Sequence, residues 1–433
     1  MVNSHAIQTS KLKSLGDVKV NIWAILLFVF LASSLDFFYL IDTSSLNLYG
    51  ISINDVILAL SFVLLIYVYA TKRRLGEYHF ERFSIVYFAA LLIIVITSSY
   101  AAGLNWQQPL LYGIRAQRAF LTSFFLFTTY LILYKEGYVS KECIVKVVYS
   151  VAITELVLVY LQWIFGENHI FLTIINTVEI RYGTLRIRAN PDLICLCTFL
   201  SWSTIMNKKN VLKHFLFVVF AIGFVALISK SRMRTVCLLF ILVFASLFIA
   251  KISITKKILI FIAIILLLIP FCFTSIGQDI LSTIMNGEND TSLIRDNGRD
   301  FYLETFRNNP LFAGGYVNID WEPSVVGSRY DQNIFVVDNG IFGFIFTYGL
   351  FGLIYIIILY FDLLFTGIKY YKEKRDFGLL AFELFNLVGL ITLFAIGMTP
   401  SMSLSILLIL HCIQKQELKE NSRGIYDYCT LSL

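Results

Sequence analysis

Charge is scarce in this chain. Asp, Glu, Lys and Arg make up 15% of its 433 residues while 58% are hydrophobic, which excludes an ordinary soluble globular domain. Proline is rarer still, with six in all, so long apolar runs go unbroken. Strict alternation of apolar and polar residues is absent, which excludes a closed barrel and leaves helices as the way to satisfy a backbone in lipid. The seven cysteines are scattered, and Cys195 with Cys197 lacks the CxxC spacing, so neither a disulfide framework nor a zinc site is expected. Exterior His, Asp and Glu show no ligand spacing either, so no metal and no cofactor are implied. No small-residue cleavage site follows the first apolar run, which is therefore expected to stay as an anchor. The net charge of +6 is what basic cytoplasmic loops produce and does not call for nucleic acid.

What the chain does have is apolar length. Runs near the ~20 residues needed to cross a bilayer recur from end to end. They fall near 21–41, 51–70, 84–103, 118–134, 143–165, 190–206, 211–229, 235–250, 258–275, 340–366, 377–397 and 401–413. The expected architecture is an all-α polytopic membrane protein of about twelve transmembrane helices. Residues 1–433 form a single helical domain, and 276–339 make one large exterior, periplasmic-side loop. Gly340, Gly343, Gly349 and Gly352 point to a broken or tilted helix after that loop.

Lysine and arginine set the orientation. With both termini cytoplasmic, the inside segments hold 23 of the 35 basic residues, and 18 of these are lysine. The outside segments hold the other 12: Arg115, Arg118, Arg181, Arg186, Arg188, Lys230, Arg232, Arg234, Arg295, Arg299, Arg307 and Arg329. A topology signal needs positive charge of either kind, so lysine serves inside. Cations retained outside need another reason, and a nearly pure arginine set fits planar, multi-donor binding of phosphate or carboxylate. The competing reading of each arginine is a solvated loop charge or the partner of a nearby acid.

Two stretches concentrate these arginines. RYGTLRIRANPD, from Arg181 to Asp192, holds three and leads into a span through Asn190 and Pro191. The exterior loop holds SLIRDNGRDFYLETFRNNPLFAGGY. There Asn297 is expected to cap a helix starting near Gly298 and ending at Asn308, lying at the bilayer surface, and Gly314 and Gly315 allow a tight return. Inside the spans, Glu155 and Glu383 are costly to bury, so each is either a structural polar contact or part of a substrate cavity.

These residues resemble the O-antigen ligase and polymerase superfamily. The resemblance rests on an Arg before an aromatic-rich amphipathic helix, Asn309-Pro310-Leu311-Phe312, Gly314-Gly315-Tyr316, Asn333 with Asp338-Asn339-Gly340, and Gly349-Leu350-Phe351-Gly352. The Arg181 to Asp192 stretch and the Ser231-Arg232 turn fit the same pattern. It implies a multi-pass enzyme of the bacterial cytoplasmic (inner) membrane that joins polyprenyl-pyrophosphate-linked oligosaccharides into O-antigen, capsule or exopolysaccharide. Its partners would be that substrate, membrane lipid, a flippase and a chain-length regulator, with no nucleic acid.

Such a reaction releases a pyrophosphate, whose charge preorganised guanidinium groups can stabilise. The candidate catalytic residues are Arg181, Arg188, Arg232, Arg299, Asp300 and Asp338, with Asp331 a further candidate base. Substrate-binding candidates are Arg115, Arg118, Arg186, Arg295, Arg329 and Asn190. The spacing from Arg329 to Gly340 resembles a polymerase loop motif but is expected by chance in a chain with this much Arg and Gly. The ligase branch is similar in carrying a loop histidine before the last glycine-rich spans, and Tyr330-Asp331-Gln332-Asn333 has none, which favours a polymerase. A ligase, a polysaccharide flippase or other transporter, and a non-catalytic assembly subunit are the alternatives.

Overall fold

Proline removes an amide donor and clashes with the preceding helical turn, and its placement in this chain follows from that. Pro109 and Pro191 stand directly before helices, Pro310 follows one, and Pro400 precedes the last. The computed structural model describes residues 21–41, 47–48, 51–71, 82–166, 169–172, 178–181, 184–207, 210–250, 253, 255, 257–258, 262, 278, 290–318, 321, 339–392, 396–398 and 400–430.

The described chain is mostly helical: α1 (Ile22–Ser33), α2 (Ile53–Thr71), α3 (Arg82–Trp106), α4 (Leu110–Ala116), α5 (Arg118–Lys135), α6 (Lys141–Phe165), α7 (Asp192–Met206), α8 (Val211–Gly223), α9 (Arg232–Phe244), α10 (Asp290–Asn308), α11 (Gly340–Lys374), α12 (Gly378–Thr392) and α13 (Ser403–Thr430). Helices α8 and α9 run on into single π-helical turns, Phe224–Ile228 and Ala245–Ile249. Two features lie outside the all-helical expectation. Asp36–Tyr39 is a left-handed turn with positive φ at each residue. Two short antiparallel hairpins also occur, β1 (Asn47–Leu48) with β2 (Ile51–Ser52), and β3 (Val178–Arg181) with β4 (Thr184–Ile187).

Among the described residues, five helices are long and apolar enough to cross a membrane: α2, Ile85–Trp106 of α3, α6, Val211–Ile228 and α11. A sixth arises if α4 and α5, bent by 54° about Gln117, count as one span. Ile22–Ser33, Asp192–Met206, Met233–Ile249 and Gly378–Leu390 are apolar but shorter, so the expectation of twelve spans goes only partly onto these helices. The span expected over 258–275 lies outside the described residues apart from isolated positions. The expected span at 401–413 corresponds to the buried apolar first part of the 28-residue α13.

Contacts between distant segments sort the helix termini into two ends. At one, Asn21 Nδ2 donates to the Tyr138 carbonyl at 3.1 Å, and Lys141 Nζ donates to Tyr370 at 2.9 Å and to Glu417 at 3.2 Å. There too Ser203 Oγ meets Asp376 at 2.9 Å and the Tyr371 hydroxyl donates to the Ile249 carbonyl. These contacts join the starts of α1, α6 and α12 to the ends of α5, α7, α11 and the π turn after α9. At the other end, Asp55 at the start of α2 meets Arg115 of α4, and Trp106 at the end of α3 reaches Gly314. We call them the lysine end and the arginine end, after their cations.

Helix α5 and the first half of α13 are buried nearly throughout, whereas α2 is largely exposed, with Phe62, Val63, Ile66 and Tyr67 facing outward.

The segment after α10 is held between α3 and α11. Tyr316 N–H donates to the Ser98 carbonyl at 3.0 Å, Gly314 N–H to the Phe346 carbonyl at 2.8 Å, and Leu350 N–H to the Pro310 carbonyl at 2.8 Å. The last bond is available because α11 breaks at Gly349, with φ 59°. A side chain at Gly349 would strike the Leu311 carbonyl, and one at Gly315 (φ 81°) the Ala102 amide. The expected helix break and tight return are therefore both present, and they touch.

Helix α10 corrects the expected start at Gly298. It begins at Asp290 and runs through Asn297 and Gly298. Asp290, Thr291 and Ser292 are themselves good N-terminal residues, and Gly298 lies against Asn339, where a Cβ would sit 2.7 Å from its Nδ2. One face of α10 packs on α11, with Tyr302, 1% exposed, against Phe346 at 4.8 Å between ring centroids.

Candidate functional site

The arginine end carries two groups of polar side chains on different helices. The first is built on the bend between α4 and α5. Gln117 is buried there, and its side chain replaces the interrupted helical bonds: Nε2 donates to the Gly113 carbonyl at 3.2 Å and to Ser99 Oγ at 3.1 Å, and Oε1 accepts from Ser98 Oγ at 3.2 Å. The bend sets Arg115 and Arg118 around Asp55, at 2.6 Å and 3.6 Å. Asp55 also accepts from the Ser52 amide at 2.9 Å and hydroxyl at 2.8 Å, and its own amide donates to Ser52 Oγ at 3.3 Å, a reciprocal cap at the start of α2.

Beside it, Gln108 Nε2 donates to the Tyr316 carbonyl at 3.0 Å while its Oε1 accepts the Asn318 amide at 2.7 Å. This ties the strap 309–318 to the α3–α4 turn. Burial pushes the Tyr316 phenol up in pKa, and the Arg118 guanidinium acts against that rise. Helix α10 adds Arg299, whose guanidinium lies 5.1 Å from the centroid of the Phe342 ring and 3.5 Å from Asp296. Asp300 and Arg307 are exposed on the same helix, and Arg295 lies one turn before Arg299.

The second group gathers the stretch Arg181–Asp192 with the turn between α8 and α9. Hairpin β3–β4 sets Arg181 opposite Thr184 and Glu179 opposite Arg186. Arg186 Nε donates to the Ser229 carbonyl at 2.9 Å, just past the π turn Phe224–Ile228. Arg188 follows, exposed. The Asn190 amide donates to the Tyr39 hydroxyl at 2.6 Å, which in turn donates to Glu155 Oε1 at 2.9 Å. Asn190 Oδ1 caps α7 through the Asp192 amide at 3.1 Å, and Asp192 faces Arg234 at 3.8 Å. Arg232 opens α9 in the same corner.

The left-handed turn Asp36–Tyr39 places Tyr39 here. Such turns cost roughly 1–2 kcal/mol per non-glycine residue, so the buried contacts of Tyr39 with Glu155 and Asn190 must hold it.

The candidate residues thus fall into two sets. Arg115, Arg118, Arg295, Arg299 and Asp300 stand on the α4–α5 and α10–α11 side, and Arg181, Arg186, Arg188, Asn190 and Arg232 on the β3–β4 and α9 side. Arg329, Asp331 and Asp338 lie outside the described residues. Glu155 meets Tyr39, while Arg115 and Arg118 are on Asp55. Sequence reasoning passed over Tyr39, Asp192, Gln108 and Gln117, and counted Arg234 among the exterior cations without choosing it for the site. For Asp192 and Arg234 the signal was present, an acid and a base at the first turns of two apolar helices. For Tyr39 it was absent. No family model and no curated protein matches the chain.

Proposed function

We propose that this chain is a polytopic membrane enzyme that polymerises polyprenyl-pyrophosphate-linked oligosaccharide repeat units, with the arginine end outside the bacterial cytoplasmic membrane and both termini inside. The observation that carries this reading is the sorting of cations in a helical bundle. Lys141, Lys257, Lys372, Lys374 and Lys415 lie at one end, with Arg375, and Arg115, Arg118, Arg186, Arg188, Arg232 and Arg234 at the other, with Lys230.

In this reading the twelve-span topology holds, and a hydroxyl of one lipid-linked repeat attacks the anomeric carbon of the growing chain while its proton passes to a carboxylate, for which Asp300 on α10 is the candidate among the described residues. The bond from that carbon to the pyrophosphate breaks, and its electron pair leaves with the phosphate oxygen. Guanidinium groups around Arg186, Arg188 and Arg232 stabilise the leaving pyrophosphate, with bidentate geometry that lysine cannot reproduce. The corner at Arg115 and Arg118, with Arg299 on α10, holds the second lipid-linked substrate. A flippase supplies that substrate and a chain-length regulator limits the product.

Deletion of the gene followed by gel separation of surface polysaccharide tests the reaction. A polymerase predicts loss of the ladder with a single repeat retained. Loss of all attached glycan would instead indicate a ligase or a flippase.

A further inference from the structure

Glu383 lies in α12, at no measurable exposure, and neither of its carboxyl oxygens has a hydrogen-bond partner among the described residues. A buried carboxylate left unpaired is costly, and a protein normally resolves that cost by pairing the group or neutralising it. The carboxyl is aimed at α11 so closely that a side chain at Gly367 would collide with Oε2.

Helix α11 also carries Asp362, the charged group that bears on Glu383. Asp362 is shared by two side chains of α13: the Lys415 ammonium, Nζ at 2.7 Å and 2.6 Å from its two oxygens, and the His411 imidazole, Nε2 at 2.9 Å. His411 is buried, while Asp362 and Lys415 retain 29% and 21% side-chain exposure and so connect the cluster to the lysine end.

The other helices packed on α12 contribute little charge. Tyr360 of α11 lies within electrostatic range of Glu383. Helix α7 carries the thiols Cys195 and Cys197, with Asp192 at its far end, and α9 carries Cys237, with Arg232 and Arg234 in its first turn.

We propose that Glu383 is a proton-binding site inside the bundle, loaded from the lysine end by way of Asp362 and His411. One O–H bond forms on Glu383, the proton comes from water at that end, and no other bond changes. Lys415 already places an ammonium on Asp362. Deprotonation sets two like charges on packed helices, so the state of Glu383 decides how tightly α12 lies on α11. The site does not depend on the glycan chemistry proposed for the opposite end.

The test uses the full chain in phosphatidylcholine nanodiscs and dicyclohexylcarbodiimide, an apolar reagent that adds across protonated carboxyls. Peptide mass mapping then locates the adduct. Labelling of Glu383 should be fast at acid pH and fall by about tenfold per pH unit once the group titrates. Asp362→Asn, which removes the like charge, should weaken labelling at neutral pH. Infrared difference spectra between acid and alkaline samples give a readout free of reagent access. The protonated-carboxyl absorption of the wild type should exceed that of Glu383→Gln by one group. An absorption undiminished in Glu383→Gln overturns the proposal, with or without an adduct.

Discussion

The lysine end and the arginine end use their cations differently. At the lysine end the ammonium groups tie one helix to another: Lys141 joins α6 to α11 and α13, Lys415 joins α13 to α11, and Lys257 holds the Leu247 carbonyl. These are point contacts, one cation to one acid or carbonyl cluster. At the arginine end the guanidinium groups cluster: two share Asp55, one spans to Ser229, and one faces Asp192. Around α2 to α9 the cations Arg115, Arg118, Arg181, Arg186, Arg188, Lys230, Arg232 and Arg234 outnumber the carboxylates Asp36, Asp55, Glu155, Glu179 and Asp192 among the described residues. In the proposed reading, these fork-shaped donors meet the pyrophosphate of the substrate.

The comparison breaks outright if the ends are not on opposite sides. Reporter fusions after Asn309 and after Arg375 should report opposite compartments, and agreement between them would sink the proposed topology. Next in size, Arg188→Ala or Arg232→Ala should reduce polymer chain length to single repeats. The expected loss in rate is about 10²–10³-fold, the scale of removing one preorganised donor. Replacement by lysine should recover little, whereas Lys372→Arg and Lys374→Arg at the other end should leave the ladder unchanged.

Gly349→Ala tests the strap between the ends' shared helices. A Cβ there meets the Leu311 carbonyl at a backbone angle that L side chains avoid. The expected cost is on the order of 3 kcal/mol, read as a lower melting temperature in nanodiscs. The smallest effects sharpen the contrast. Asp55→Ala leaves two guanidinium groups without their carboxylate and should cost about 1–2 kcal/mol, discounted because the site is partly solvated. Lys141→Ala should cost about 0.5 kcal/mol. Equal losses from the two in the same melting assay would remove the distinction between a clustered and a pinning cation.

Much of this arrangement was legible in the residues. Apolar length and absent proline gave the helices from Ile53 to Thr71 and from Lys141 to Phe165 nearly to the residue. The lysine and arginine split is carried by composition, so the structure had only to gather it. Gly314, Gly315 and Gly349 announced a turn and a break, though not that the turn fills the break. What stayed hidden depends on partners far along the chain. The left-handed turn at Asp36–Tyr39 has no glycine or asparagine to mark it, and its reason is a glutamate 116 residues away. The β3–β4 hairpin sits in a stretch whose three arginines dominate its reading, and its short strands give too few positions for alternation to show. The start of α10 was misplaced because Asn-Gly reads locally as a boundary, while packing against Asn339 lets the helix continue through it.

The strap 309–318 also constrains the order in which the protein can be put together. It lies with Gly315 against the backbone of α3 and with Gly314 and Pro310 bonded to α11. Helix α3 leaves the ribosome first, the strap second and α11 last, so each layer can be laid on a surface already in place. Were α11 to dock on α3 first, the strap would have to thread a gap too narrow for a Cβ. Vectorial synthesis supplies the sequence of events that this crossing requires, and a circular permutant opening between α10 and α11 would lose it.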